Sequence, residues 1–376
     1  MTERIREFLR TRNDEGPCLV VDLDVVRDNY LAFAGALPDT KVFYAVKANP
    51  APELLALLAS LGSSFDTASL AEIEMVLAAG ATAERISFGN TIKKERDIAR
   101  AYQLGVRLFA VDCTAEVEKI ARAAPGSRVF CRFLHDCAGS EWPLSRKFGC
   151  DPAMAVEVLE HAHRLGLIAH GVSFHVGSQQ PRTESWNAAL RSAAAIFRGC
   201  SERGITLSMV NLGGGFPTRY LKEVPPVKTY GRAIFRALRK HFGNRIPDTI
   251  IEPGRGMVGN AGVIEAEVVL VAKKSAHDPV RWVYLDIGKF GGLAETADEM
   301  IRYPIRTPRD GDEMAPCVLA GPTCDSVDVM YEKQPYALPI SLEIGDKVLI
   351  EGTGAYTATY ASVGFNGFAP LKAYHI

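Results

Sequence analysis

An α/β fold, a TIM-type (β/α)8 barrel followed by a mainly β C-terminal domain of barrel or sandwich form, is predicted by two features of the sequence. From Lys41 to about Gly259, eight short apolar or β-branched runs alternate with segments of helical periodicity, the mark of repeated βα units. Beyond Gly259 the alternation stops, and strand-like runs follow without long helices between them. In this reading residues 25–260 form the barrel, and residues 1–24 with 261–376 form the β domain that completes the site.

Taken in order, the apolar strand at 18–22 precedes the barrel and is expected to pair with the late strands. Barrel strands are expected at 42–46, 64–66, 86–88, 108–111, 129–132, 171–175, 209–212 and 249–252. After the second of these, Ile73, Val76 and Leu77 recur at helical spacing, and the pattern stops at Gly80, a usual signal for the end of a helix. The runs at 263–273, 281–285, 317–320 and 347–351 read as strands of the β domain.

Composition narrows the function. The 376 residues, 47% hydrophobic and 23% charged, can bury a large core in more than one domain. Forty-three Lys and Arg against 44 Asp and Glu leave a net charge of -1, which argues against a nucleic-acid partner and makes small molecules the default. No apolar run approaches the ~20 residues that span a bilayer, and residues 1–12 are charged, so a cytoplasmic protein without membrane association is expected. The eight cysteines include no Cys-x-x-Cys pair; no metal site is expected, and most thiols should be reduced and buried.

Barrels of this kind carry their chemistry at the C-terminal ends of the strands. Lys47, Asp66, Asn90, Arg132, His175, Gly213 to Gly215 and Glu252 fall there. Lys47 follows the apolar Phe43-Tyr44-Ala45-Val46, and burial at that point would lower its pKa and suit it to form a Schiff base; a surface lysine is the plain alternative. Consecutive glycines after the seventh strand let backbone N–H groups cradle a phosphate, although a tight loop has the same signature. Glu252 can hold a protonated ring nitrogen or simply pair with Arg255, and Gly254 offers a second backbone contact for phosphate. His175 can stack on a flat ring, with Ser178 within reach of a phosphate, or be a satisfied structural histidine.

Together these residues resemble the fold-type III pyridoxal-phosphate decarboxylases, in the ornithine/lysine decarboxylase branch with its alanine-racemase-like barrel. The resemblance spans nearly the whole chain and is carried by Tyr44-Ala45-Val46-Lys47-Ala48-Asn49, Phe65-Asp66-Thr67-Ala68-Ser69, the stretch 174–179, Gly213-Gly214-Gly215-Phe216-Pro217, Glu252-Pro253-Gly254-Arg255, Gly321-Pro322-Thr323-Cys324-Asp325 and Gly354-Ala355-Tyr356. It implies pyridoxal 5'-phosphate as cofactor, bound covalently through Lys47 and stacked on by His175. Glu252 would hold the pyridine nitrogen, and Ser178, Gly213, Gly214, Gly215, Gly254, Arg255 and Tyr356 would surround the phosphate. Asp66, Glu72 and Arg132 would support the ring. It further implies an obligate homodimer in which Cys324 of one subunit protonates product in the other's site.

Asp325 beside Cys324 suits a substrate with a cationic end, where the diaminopimelate enzymes resemble Cys-Glu-Ser. Asp298, with Glu295 in reserve, lies where this branch keeps its substrate-specificity helix. The stretch 291–296 resembles bacterial members that accept both amino acids, so the expected reaction is decarboxylation of L-ornithine, L-lysine or both to putrescine or cadaverine, as in polyamine synthesis. Alternatives are diaminopimelate or arginine as substrate, a racemase, or a noncatalytic decarboxylase-like regulator. Residues 135–147 are a candidate lid over the substrate.

Overall fold

The computed structural model describes residues 1–137, 139–140 and 147–376. The candidate lid falls largely on 138 and 141–146, outside the described residues. The chain divides into two compact units: Arg27–Pro217 with Val224–Met257, and Met1–Val26 with Thr218–Glu223 and Val258–Ile376.

Strand β1 is Cys18–Val21 and belongs to the second of these units. The first unit is a closed barrel of eight parallel strands: β2 (Thr40–Ala45), β3 (Ser64–Thr67), β4 (Ile86–Phe88), β5 (Leu108–Val111), β6 (Arg128–Arg132), β7 (Ile168–Ser173), β8 (Met209–Asn211) and β9 (Asp248–Ile251). Side chains that alternate along these strands fill the barrel, as in a packed core rather than a pore: Phe43, Leu108, Ala110, Phe130, Met209 and Ile250 form one cluster. The barrel closes where β2 meets β9, with Thr40 opposite Thr249 and their hydroxyls 2.6 Å apart.

Helices follow the strands and start at readable signals. Pro152 opens Pro152–Arg164, with the Asp151 carboxylate accepting the Ala153 N–H at 2.8 Å. At Leu70–Ala78, Ser69 Oγ accepts the Glu72 N–H and Glu72 Oε2 accepts the Ala68 N–H at 2.6 Å. The arrangement resembles a capping box, with Glu72 reaching the N–H one residue before the cap. Glu72, read as support for the ring, thus has a local structural task.

The second unit is one eight-stranded mixed sheet built from β1, β10 (Gly262–Ala272), β11 (Arg281–Leu285), β12 (Ile305–Arg306), β13 (Met314–Ala320), β14 (Tyr336–Pro339), β15 (Lys347–Glu351) and β16 (Lys372–His375). Its main path runs β12-β15-β10-β11-β13-β14. Strand β1 pairs antiparallel with β10 and parallel with β16. Among the described residues no helix is long and apolar enough to cross a membrane.

Candidate active site

Lys47 lies in a single 3-10 turn, Val46–Ala48, just past the end of β2. Its side chain is 53% exposed, so the burial expected from the preceding apolar run is not found. The apolar run ends at Val46, and Lys47 follows it on a turn past the packed end of the strand. What Lys47 has is a charge partner, since its Nζ is 3.8 Å from Asp66 Oδ2.

Asp66 itself is buried on β3 and accepts a hydrogen bond from Ser87 Oγ at 3.0 Å across the β3–β4 pair. Burial raises its pKa, against the pull of Lys47. Arg132 ends β6, and the field of its cation reaches both Glu252 and Asp66. Asn90 turns the chain after β4: its Oδ1 accepts the Ile92 N–H and its Nδ2 donates to Ala68 O.

His175 stands two residues beyond β7, which ends at Ser173 instead of 175. The Gly177 N–H donates to His175 Nδ1 at 2.9 Å, leaving the ring proton on Nε2. Burial, and then the nearby Arg132 and Lys47, push its pKa down to about 3. The imidazole is neutral.

The glycine triplet follows β8 and is fixed from several sides. Gly213 O accepts the Glu252 N–H at 2.9 Å, Gly215 O accepts the Gln180 N–H at 2.9 Å, and Trp186 Nε1 donates to Leu212 O at 3.2 Å. Phe216 packs at 5.0 Å on Trp186, which is fully buried. A Cβ on Gly213 would come within 2.1 Å of Phe174 O, and Gly213 has φ +66°. On Gly214 it would lie 2.6 Å from Glu252 O and 3.5 Å from His175 Nε2. Only glycine lets the backbone run this close to both candidates.

Glu252 follows β9 directly. Burial in the mouth and the like charge of Asp66 raise its pKa to about 7, opposed by a hydrogen bond from Asn211 Nδ2 and by Lys47 and Arg132. Arg255, buried, donates to Ser178 Oγ at 3.4 Å, which brings together two of the residues expected around a phosphate. Gly254 is buried beside it in sequence.

The candidates of the second unit are arranged differently. Cys324 is exposed, the one cysteine of the eight that is; its N–H donates to Asn366 Oδ1 at 3.0 Å. Asp325 Oδ1 accepts the Val327 N–H at 2.9 Å in a tight turn. Asp298 is exposed, has φ +52°, and lies 3.2 Å from Lys333 Nζ. Its carboxylate also borders a cavity of about 560 Å³. Glu295 is buried. Tyr356 is half-buried with φ +55°.

Reading the sequence missed three side chains that hold these residues: Ser87, Asn211 and Asp328. Asp328 is buried and accepts the Lys289 N–H at 2.8 Å and the Thr323 hydroxyl at 2.7 Å, steadying the loop that presents Cys324. A polar residue closing an apolar strand, as in Met209-Val210-Asn211, was the available signal.

The barrel mouth suits a flat ring with a basic nitrogen and a phosphate. The amine of Lys47, the carboxylate of Glu252, the neutral ring of His175 and a glycine loop that any Cβ would fill are the right donor set. The sequence profile described as pyridoxal-dependent decarboxylase, pyridoxal binding domain, matches residues 23–259. The lysine/ornithine decarboxylase of Selenomonas ruminantium is 37% identical over 357 residues, 94% of this chain and 87% of that protein. Antizyme inhibitor 2 of Xenopus laevis is 35% identical over 98% of this chain and 82% of its own length. The crystal structure of lysine/ornithine decarboxylase complexed with cadaverine from Vibrio vulnificus superposes with a TM-score of 0.88, at 32% identity, over 99% of this chain and 97% of that one. Profile, relatives and architecture agree: this chain belongs to the pyridoxal-dependent decarboxylase family.

Proposed function

We propose that the protein decarboxylates L-lysine and L-ornithine, with pyridoxal 5'-phosphate as cofactor, to cadaverine, putrescine and carbon dioxide. The observation that carries this reading is Glu252, a shielded carboxylate held at one mouth together with Lys47, His175 and the glycine cradle. When bound, the cofactor supplies an electron-poor ring that takes up the electron pair left as carbon dioxide departs.

The chain's own residues make that possible. Lys47 Nζ is the covalent anchor, and Asp66 keeps a negative charge beside it. Glu252 holds a proton at the ring nitrogen, and the neutral His175 packs on the ring face. The N–H groups of Gly214, Gly215 and Gly254, with Ser178, Arg255 and Tyr356, bind the phosphate; Gly213 shapes that loop, and Arg132 balances the carboxylates.

Cys324 gives a proton to the carbon that has lost carbon dioxide, a task within reach of an exposed thiol. By the family resemblance, two copies of the chain pair so that each supplies Cys324 to the other's Lys47. Asp325 and Asp298, with Glu295 behind them, bind the distal ammonium of the substrate. The two substrates differ by one methylene, worth only ~1 to 3 kcal/mol in a pocket, which is why both are taken. The setting is the cytoplasm, and the diamines would supply polyamine synthesis.

Products should be identified after supplying purified protein and pyridoxal phosphate with L-lysine, L-ornithine, L-arginine and meso-diaminopimelate in parallel. Cadaverine and putrescine are expected. Reaction with diaminopimelate alone would sink the assignment of Asp325, and no reaction despite bound cofactor would favour a noncatalytic role.

A further inference from the structure

We propose that Asn211 is a positioning residue for the cofactor: it orients the Glu252 carboxylate and keeps it an acceptor toward the ring nitrogen. The inference rests on the pyridoxal reading above.

Asn211 is the last residue of β8 and is fully buried. It shares the inward face of its strand with Met209, two residues earlier, a member of the barrel core. Its Oδ1 accepts the Gly213 N–H at 2.9 Å. Only the oxygen of an amide can accept a hydrogen bond, so this contact fixes which way the amide faces. Nδ2 is therefore turned to Glu252 Oε1, to which it donates. The Glu252 N–H returns a bond to Gly213 O at 2.9 Å. Strand β8, the glycine loop and the carboxylate are thus tied in one closed circuit, with Asn211 as its only side chain besides Glu252 itself.

The circuit matters because Glu252 is electrostatically contested. Asp66 from β3 and loss of water favour its protonated form; Lys47 after β2 and Arg132 on β6 favour the carboxylate; His175 beyond β7 is neutral. Asn211, on β8, contributes a neutral donor that favours the ionised form without adding a charge. A carboxyl that holds its own proton cannot accept one from a ring nitrogen. Removing the amide should tip the balance that way and loosen the cofactor.

The test is the dissociation constant of pyridoxal phosphate from the holoenzyme as a function of pH, with thermal unfolding measured alongside. Asn211→Leu keeps the volume and loses both bonds; its cofactor affinity should fall by about 10-fold or more at every pH. Asn211→Asp keeps the acceptor for Gly213, but can donate to Glu252 only while the new carboxyl is protonated. Its affinity should be close to wild type near pH ~6.5 and fall by about 10-fold or more as that proton is lost toward pH ~9. Wild-type behaviour of both variants would overturn the inference, as would an equal, pH-independent loss in the two, which would mark Asn211 as packing only. If Asn211→Leu does not fold, the pH dependence of Asn211→Asp decides alone. Failure of the wild-type protein to bind the cofactor would instead overturn the pyridoxal reading.

Discussion

At the barrel mouth, Asp66 is bonded by Ser87, His175 by the Gly177 N–H and Glu252 by Asn211, each partner coming from a strand or from the loop that follows one. In the sheet unit, Cys324 and Asp298 stand exposed, and the Asp325 carboxylate accepts a backbone N–H of its own turn. The difference follows from water. A polar group among strand ends is cut off from solvent and has to be matched by the scaffold, whereas a group on a surface turn stays hydrated and costs nothing unmatched. Preorganisation belongs to the first region, and adaptability to the second.

The contrast is broken most severely at Lys47, an exposed group in the matched region. Lys47→Ala is expected to abolish the covalent cofactor link, read after borohydride reduction and denaturation, and to lower kcat by ~10³-fold or more. Cys324→Ala is expected to lower kcat by ~10²-fold while leaving cofactor affinity unchanged, measured by titration of the holoenzyme, because a surface turn does not support the ring. Gly213→Ala puts a Cβ 2.1 Å from Phe174 O at a φ of +66°. It should cost at least ~2 kcal/mol in chemical denaturation. Asp325→Asn, its counterpart in the sheet unit, should raise KM for both diamino acids by ~10-fold yet leave stability within ~0.5 kcal/mol. A matching loss of stability in the two would erase the distinction.

A further expected effect concerns pH. His175 stays neutral in the folded protein down to about 3, while an unfolded histidine binds a proton near its ordinary value of ~6.5. Between these values the unfolded chain holds the extra proton, so stability falls as pH falls, by up to ~1.4 kcal/mol per pH unit. Glu252, raised to about 7, acts in the opposite sense, since its share of stability is present in acid and lost as pH rises toward its folded value. His175→Gln should therefore lose less stability than the wild type between about pH 6.5 and pH 5, and an unchanged acid slope would show that the imidazole is not held neutral.

Much of this architecture was legible from residue order. The strands at 86–88, 108–111, 281–285 and 347–351 coincide with β4, β5, β11 and β15 because apolar, β-branched runs there are bounded by turn residues. Strands β12, β14 and β16 escaped notice: the first is two residues long, and the other two are four residues each with few β-branched residues, so pairing defines them more than local sequence does. At the site, residue types at strand ends were readable, but side-chain direction was not. Lys47 was expected to be desolvated where it enters the barrel mouth; its amine faces buried Asp66, but the side chain, on a 3-10 turn past the strand, stays half-exposed. Asn211 passed as the end of an apolar run, and its importance emerges only when Glu252, 41 residues away, folds against it.

Strand β1 has consequences for biosynthesis. Residues 18–21 are made well before the segments they pair with, Gly262–Glu265 on one side and Lys372–His375 on the other. The barrel can close once β9 is available to meet β2, while β1 still waits with an unpaired edge until residues 372–375 leave the ribosome. A nascent chain therefore carries an open, apolar Cys-Leu-Val-Val template until those residues emerge, a segment that a chaperone would have reason to shield and that truncation before 372 would leave exposed on one side.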